Sequence, residues 1–112
     1  MKGRQPKRLG ILTKPNEPRA VQVATQIAQW THANSVELLV DTNLAEAPAS
    51  ARRVTDQEVA ANSDVVIVLG GDGTMIAAAR LVHSRGTPVI GINLGSLGYL
   101  TEYPVEDVSS AL

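Results

Sequence analysis

Apolar residues fall into two kinds of run along the chain. Short continuous apolar runs, which do not alternate with polar residues, predict strands buried on both faces of a parallel sheet. They cover residues 8–13, 36–41, 64–70 and 88–93. Apolar residues spaced three or four positions apart predict helices instead. These helices cover residues 19–32, 56–62 and 74–84, and a further helix begins at Pro104.

Polar residues and a glycine mark the ends of the predicted helices. Asn34 predicts the end of the first helix, and Thr55 or Asp56 predicts an N-cap for the second. Gly86 predicts a left-handed end for the third helix. Residues 42–54 show little periodicity, so we expect a surface loop between the second strand and the second helix.

The alternation of strands and helices predicts an α/β fold around a parallel sheet with right-handed crossovers. In open sheets of this kind, ligands bind beyond the carboxyl ends of the strands. Seven of the nine glycines lie between Gly70 and Gly98, in and around two loops that each follow a predicted strand. We therefore expect both glycine-rich loops to open onto the same edge of the sheet and to carry the function.

Composition narrows the class of protein. The 112 residues suit one domain, 44% of them are apolar, and the net charge is -1. No stretch approaches the ~20 apolar residues of a membrane span, and no second basic stripe favours nucleic-acid binding. The chain has no cysteine, which excludes disulfides and thiolate metal sites. His32 and His83 lack partners at metal-ligand spacing, so no metal ligand is assigned, and we expect a cytoplasmic protein that binds neither membranes nor nucleic acid.

The first loop, "GGDGT" at residues 70–74, resembles a phosphate-binding turn between a strand and a helix. Glycines permit positive φ angles and let a phosphate approach the backbone, although a tight turn alone would also use them. The dinucleotide fingerprint needs a third glycine where Ile76 stands. The P-loop needs a lysine where Thr74 stands, and no lysine follows Lys14. Neither standard phosphate loop therefore fits.

Asp72 places a carboxylate inside this loop, and three roles for it are open. It would bind a divalent cation that bridges phosphates, or accept a proton from an attacking hydroxyl during phosphoryl transfer. Alternatively, it would cap the following helix, a role that Thr74 would fill equally well. The second loop, "GINLGSLGYLTE" at residues 91–102, begins after Asn93. Its Tyr99 offers a ring on which a base or nicotinamide would pack, unless that ring packs in the core.

The two motifs together resemble the N-terminal domain of bacterial NAD kinases. "GGDGT" alone is shared with diacylglycerol and sphingosine kinases and, in weaker form, with 6-phosphofructokinases. The run of "NLGSLGYLT" about twenty residues later is typical of NAD kinases, and the resemblance is best over residues 64–112. It implies a three-layer Rossmann-like parallel sheet of the phosphofructokinase/NAD kinase N-terminal type.

The resemblance also implies a reaction, in which ATP or polyphosphate phosphorylates the 2′-hydroxyl of the adenosine ribose of NAD to give NADP. Asp72 matches the aspartate that takes the proton from that hydroxyl, and Tyr99 stands where the family usually has Phe. A divalent cation, expected to be Mg²⁺, and a homo-oligomeric parent enzyme are further implications. The implied nucleotide-binding residues are Gly70, Gly71, Asp72, Gly73, Thr74, Asn93 and Tyr99.

Family members are about twice this length or more, and a β-rich C-terminal domain supplies an Asn-Glu or Asn-Asp pair that holds the ribose. That domain lies outside residues 1–112, so we expect this N-terminal domain alone to be nearly inactive. Two alternatives stay open. A diacylglycerol-type lipid kinase would have Asn-Glu soon after the loop, where Met75-Ile76 stands. A non-catalytic nucleotide-binding module is the other.

Overall fold

The chain folds into one parallel sheet with helices on both faces, in a computed structural model that describes residues 6–94. The strands are β1 (Arg8–Thr13), β2 (Glu37–Val40), β3 (Ala51–Arg53), β4 (Val65–Gly70) and β5 (Val89–Asn93). The helices are α1 (Pro18–Ala33), α2 (Asp56–Asn62) and α3 (Asp72–Val82), and a short 3-10 turn (His83–Arg85) follows α3. The predicted helix at Pro104 and the predicted role of Tyr99 lie outside the described residues.

The five strands are all parallel and lie in the order β3-β2-β1-β4-β5, as in a doubly wound Rossmann-type sheet. Leu9 and Ile11 point to the face covered by α1, where they join one buried apolar cluster. Leu12 points to the opposite face and joins a second cluster with residues of α2 and α3. Helix, sheet and helix therefore form three layers, which confirms the predicted fold class. None of the helices within residues 6–94 has the length and apolar character needed to cross a membrane.

Several predicted helix ends are confirmed. Asn34 is the C-cap of α1. Thr55 begins α2 with a capping box, in which its hydroxyl accepts from the Glu58 N–H at 3.1 Å and the Glu58 carboxylate accepts from the Thr55 N–H at 3.2 Å. Gly86 has φ of 67°, the left-handed conformation expected beyond the end of a helix.

Two predictions about local structure are wrong. The predicted loop at residues 42–54 contains β3, which pairs with β2 at the edge of the sheet. An edge strand of three residues has one partner and little burial, so it carries no apolar pattern. The third helix begins at Asp72, two residues earlier than predicted, with Gly71 in the N-cap position and no side-chain cap. Neither Asp72 nor Thr74 therefore caps α3.

Gly10 allows α2 to pack closely against the middle of the sheet. A Cβ atom at this position would lie 2.6 Å from Val59 Cγ1 and closer still to Ser63 Oγ. Both distances are shorter than real Cβ contacts, so any side chain at Gly10 would displace the end of α2. The absence of a side chain at one position of β1 thus sets how near the second helical layer lies.

Candidate functional site

The turn between β4 and α3 presents unpaired backbone donors at the carboxyl edge of the sheet. The first α-helical hydrogen bond of α3 runs from the Met75 N–H to the Gly71 carbonyl at 3.0 Å. The N–H groups of Asp72, Gly73 and Thr74 precede it and have no intrahelical acceptor. No side chain within residues 6–94 caps this helix end. These donors and the positive end of the helix dipole together suit an anionic ligand.

The three glycines of this turn, Gly70, Gly71 and Gly73, differ in whether the packing of the chain leaves room for a side chain. A Cβ atom at Gly70 would lie 2.7 Å from Thr74 Oγ1 and 3.2 Å from Lys14 Cβ, so the packing of the chain itself excludes a side chain there. At Gly71 and Gly73, a Cβ atom would meet no described atom within 4 Å. Neither of these glycines has a positive φ, since Gly86 is the one described glycine that does. These two glycines therefore do not supply a left-handed turn.

Among residues 6–94, nothing fills the space on the outer side of this turn. Gly71 adopts an extended conformation that other residues also adopt, and Gly73 lies in the first turn of α3. Because nothing in the described part of the chain requires glycine at these two positions, their bare backbone is available to a ligand. Asp72 lies between them, is exposed, and makes no hydrogen bond or ion pair within residues 6–94.

The second glycine-rich loop starts beside the first. Asn93, the last residue of β5, is the register partner of Gly70. The Leu94 N–H donates to the Gly70 carbonyl at 3.1 Å, which fixes the start of the second loop against the β4–α3 turn. The expectation that both loops open onto one edge is confirmed as far as Leu94. The rest of the second loop, including Tyr99, lies outside the described residues.

The end of β1 adds residues that the sequence analysis did not select. The Lys14 N–H donates to the Leu69 carbonyl at 2.9 Å, so Lys14 extends the pairing of β1 with β4 by one residue. The Thr13 hydroxyl donates to the same carbonyl at 3.3 Å. The backbone of Thr13 and Lys14 is thereby held next to Gly70, at the base of the candidate site.

Asp41 is a buried carboxylate that fixes this part of the edge. Its two oxygens accept hydrogen bonds from the Thr13 N–H at 3.1 Å and from the Asn43 N–H at 3.2 Å. The Asn43 side-chain amide in turn donates to the Thr13 carbonyl at 3.2 Å. Burial raises the pKa of the Asp41 carboxyl, and the hydrogen bonds from these two backbone N–H groups oppose that shift. The carboxylate thus continues the hydrogen bonding between β1 and β2 beyond the last residue of β2.

The strand order explains why these residues meet. The chain leaves β1 toward β2 on one side and returns to β4 on the other, so the topological switch point lies between β1 and β4. Asp72 and Lys14 follow these two strands, and Asp41 follows β2. The signal for these two residues was their position at the ends of predicted strands, since Lys14 directly follows the run at 8–13 and Asp41 ends the run at 36–41. The sequence does not state which strands are neighbours.

Residues 6–94 contain no group of three or more acidic, histidine or cysteine side chains arranged to hold a metal ion. Two surface cavities lie away from the β4–α3 turn, one on the α2 face of the sheet and one at its amino-terminal edge. One lies beside the ion pair of Arg8 and Glu37, and the other lies beside Asp64 and Arg85. Within residues 6–94, the carboxyl edge is marked by exposed backbone donors and by the unpaired carboxylate of Asp72.

A family model and individual relatives both relate this sequence to NAD kinases. The sequence model of a family described as the ATP-NAD kinase N-terminal domain matches residues 9–112. The NAD kinase of Trichlorobacter lovleyi is 42% identical over 106 residues, which cover 95% of this chain and 37% of that relative. The NAD kinase of Citrifermentans bemidjiense is 43% identical over 108 residues, which cover 91% of this chain and 36% of that relative. The chain thus spans little more than a third of the length of these relatives.

Comparison with solved structures supports the fold. The crystal structure of yeast NADH kinase complexed with NADH superposes with a TM-score of 0.75 and 20% sequence identity. The matched region covers 96% of this chain and 37% of the yeast chain. At this level of identity the likeness establishes the three-layer architecture and leaves the ligand to be argued from the site.

Proposed function

The chain belongs to the family of ATP-NAD kinase N-terminal domains, and on that premise we propose that it forms the nucleotide-binding part of an NAD kinase. The reaction proposed is the transfer of the γ-phosphoryl group of ATP to the 2′-hydroxyl of the adenosine ribose of NAD, which gives NADP and ADP. Because the chain spans 37% of the Trichlorobacter relative, we assign the remaining contacts to a β-rich C-terminal domain of the same protein.

The observation that carries this proposal is the exposed, unpaired carboxylate of Asp72 between two glycines with open space around them. In the proposed step, Asp72 accepts the proton of the ribose 2′-hydroxyl while the oxygen of that hydroxyl forms a bond to the γ-phosphorus. The bond between that phosphorus and the bridging oxygen breaks, and ADP leaves with the electron pair. A carboxylate bound to other side chains of the protein would be less available for this proton.

The backbone around Asp72 is assigned to binding. We propose that the free N–H groups at the start of α3 contact phosphate oxygens, and that the nucleotide lies against Gly71 and Gly73. Asn93 lies beside Gly70 in the sheet register, and Thr74 and Tyr99 complete the proposed set of contacts. The part of this arrangement at residues 70–74 is supported by the bare backbone of the β4–α3 turn.

A divalent cation would enter this edge together with ATP. Mg²⁺ keeps several waters and is held by one or two carboxylates together with substrate phosphates. Because Asp72 is assigned to the proton, we propose that the phosphates of ATP supply most of the ligands, and residues 6–94 offer no group of three acidic side chains for the ion. When bound with ATP, the ion would neutralise charge on the phosphates. We also propose, from the family resemblance alone, that the whole enzyme is a homo-oligomer.

The test compares two proteins, the 112-residue chain and the full-length protein that contains it. Each is incubated with ATP, Mg²⁺ and NAD, and NADP is measured with an NADP-specific dehydrogenase. We expect NADP from the full-length protein and a rate at least about a hundredfold lower from the 112-residue chain, because the contacts that orient the ribose are missing.

The outcomes separate the alternatives. A full-length protein that binds ATP and NAD without forming NADP would be a non-catalytic nucleotide-binding module. A full-length protein that phosphorylates diacylglycerol and leaves NAD unchanged would be a lipid kinase. Robust NADP formation by residues 1–112 alone would contradict the assignment of essential contacts to a second domain. The same assay with NADH in place of NAD defines which redox form is accepted.

A further inference from the structure

We propose that Lys14 binds the phosphate groups of the nucleotide at this site, as the positive charge that the glycine loop itself lacks. This inference rests on the proposed function, because it assigns a residue to the same site. The sequence places Lys14 more than fifty residues before the loop. The fold brings it next to Gly70.

One backbone hydrogen bond and the packing around it fix where Lys14 lies. Its backbone N–H donates to the Leu69 carbonyl at 2.9 Å, directly before the β4–α3 turn. Its Cβ atom lies 3.2 Å from where a Cβ of Gly70 would be, so its side chain leaves the backbone beside the glycine loop. The preceding residue, Thr13, is held by the buried Asp41 carboxylate. The root of the Lys14 side chain is therefore well defined, and its flexible stem and exposed ammonium extend from it.

The other basic residues near this edge are already engaged. The Arg19 guanidinium pairs with the Glu17 carboxylate at 3.4 Å. The Arg53 guanidinium donates to the Leu44 carbonyl at 2.6 Å and to the Thr42 carbonyl at 3.4 Å. Lys14, in contrast, makes no side-chain hydrogen bond or ion pair within residues 6–94. In the described part of the chain, Lys14 is thus the basic group at this edge that is available to an external anion.

The chemistry of the site calls for such a group. The helix end provides only partial positive charge, whereas a nucleotide phosphate carries full negative charges. Lysine serves phosphate as a point charge and does not need the fixed geometry of an arginine. The P-loop places its lysine directly after the last glycine. Here the equivalent charge comes from the neighbouring strand, which explains how a glycine loop followed by Thr74 still binds phosphate.

The test uses Lys14→Gln in the full-length protein, which removes the charge and keeps most of the stem. Lys14→Arg keeps the charge, and Lys7→Gln makes the same charge change at the opposite edge of the sheet. KM for ATP and KM for NAD are measured separately at two ionic strengths. We expect Lys14→Gln to raise one of these KM values about tenfold, with a weaker salt dependence than wild type. Lys14→Arg should stay within about threefold of wild type, and Lys7→Gln should match wild type.

A rise in KM for ATP identifies the triphosphate as the partner of Lys14, and a rise in KM for NAD identifies the pyrophosphate of the dinucleotide. Unchanged KM values would overturn the inference, as would a loss of activity that tracks a lower melting temperature at constant KM. Absence of NADP formation by the wild-type protein would instead refute the proposed function. The inference is then decided by NMR titrations of the 112-residue chain with ATP and, separately, with NAD, and equal shifts for wild type and Lys14→Gln with both nucleotides would overturn it.

Discussion

Gly73→Ala tests whether the glycine at this position is required for stability or for ligand binding. Gly73 is the second residue of α3, its φ is not positive, and a Cβ atom there would meet no described atom within 4 Å. Alanine at a compatible helical position reduces the entropy of the unfolded chain and stabilises by about 0.5 kcal/mol. For a domain of this size that corresponds to a rise in melting temperature of about 3 °C.

The same substitution should lower activity. The added methyl group would occupy the space that we assign to the nucleotide, and forcing one extra methyl into a filled site costs about 1–3 kcal/mol. Since about 1.4 kcal/mol corresponds to a factor of ten, kcat/KM of the full-length protein should fall roughly tenfold to a hundredfold. Stability and activity are therefore expected to change in opposite directions.

Gly70→Ala is the matched comparison within the same turn. Its Cβ atom would lie 2.7 Å from Thr74 Oγ1, 2.9 Å from Thr74 Cβ and 3.2 Å from Lys14 Cβ. Overpacking of this kind should lower the free energy of unfolding by about 1–3 kcal/mol. Urea unfolding of the 112-residue chain measures both stabilities, and the NADP assay on the full-length variants measures activity. The reasoning is refuted if Gly73→Ala destabilises the chain as much as Gly70→Ala does, or if it leaves kcat/KM unchanged.

Four further substitutions test other parts of the structure. Asp72→Asn should lower kcat by about a hundredfold or more through loss of the proton acceptor, while the Kd for ATP, measured by calorimetry, changes little; a near-normal rate would contradict this role. Ser63→Ala removes a buried hydroxyl that has no hydrogen-bond partner within residues 6–94, so urea unfolding should show equal or up to about 1 kcal/mol higher stability. Gly10→Ala should destabilise by about 3 kcal/mol or more, because its Cβ atom overlaps Val59 and Ser63, and a normal melting temperature would be inconsistent with the packing of α2. Burial raises the pKa of the Asp41 carboxyl above its ordinary value of 3.8, so the folded chain holds this proton more tightly than the unfolded chain does. The stabilisation that results is fully present below pH 3.8 and is lost as pH rises through the raised pKa. The stability difference between wild type and Asp41→Asn, followed by urea unfolding from about pH 3 to about pH 7, should therefore be largest at the acidic end and narrow with rising pH; a difference that widens would show that the pKa shift has the opposite sign.

The sequence predicted those elements that local patterns specify. Buried strands such as β4 carry continuous apolar runs because both faces of a parallel sheet are covered. The capping box at Thr55 is readable because its hydrogen bonds join residues three positions apart. β3 was missed because its pairing with β2 depends on backbone contacts across the chain, and no apolar pattern accompanies it. The start of α3 was misplaced because Gly71 begins the helix without a side-chain cap.

The residues of the candidate site also fall into those that local sequence specifies and those that only the tertiary structure brings together. The sequence by itself determined the glycine turn and Asp72, since these residues are contiguous and follow a recognisable strand. It did not determine which of the three glycines the fold needs, because that depends on the distance from Gly70 to Lys14 and Thr74. Only the tertiary structure decided that β1 lies between β2 and β4, which brings Lys14 and the Asp41 carboxylate to the turn. The physical reason is that strand order is set by crossovers and by packing between distant residues, whereas a turn is set by the backbone freedom and hydrogen bonding of its own few residues.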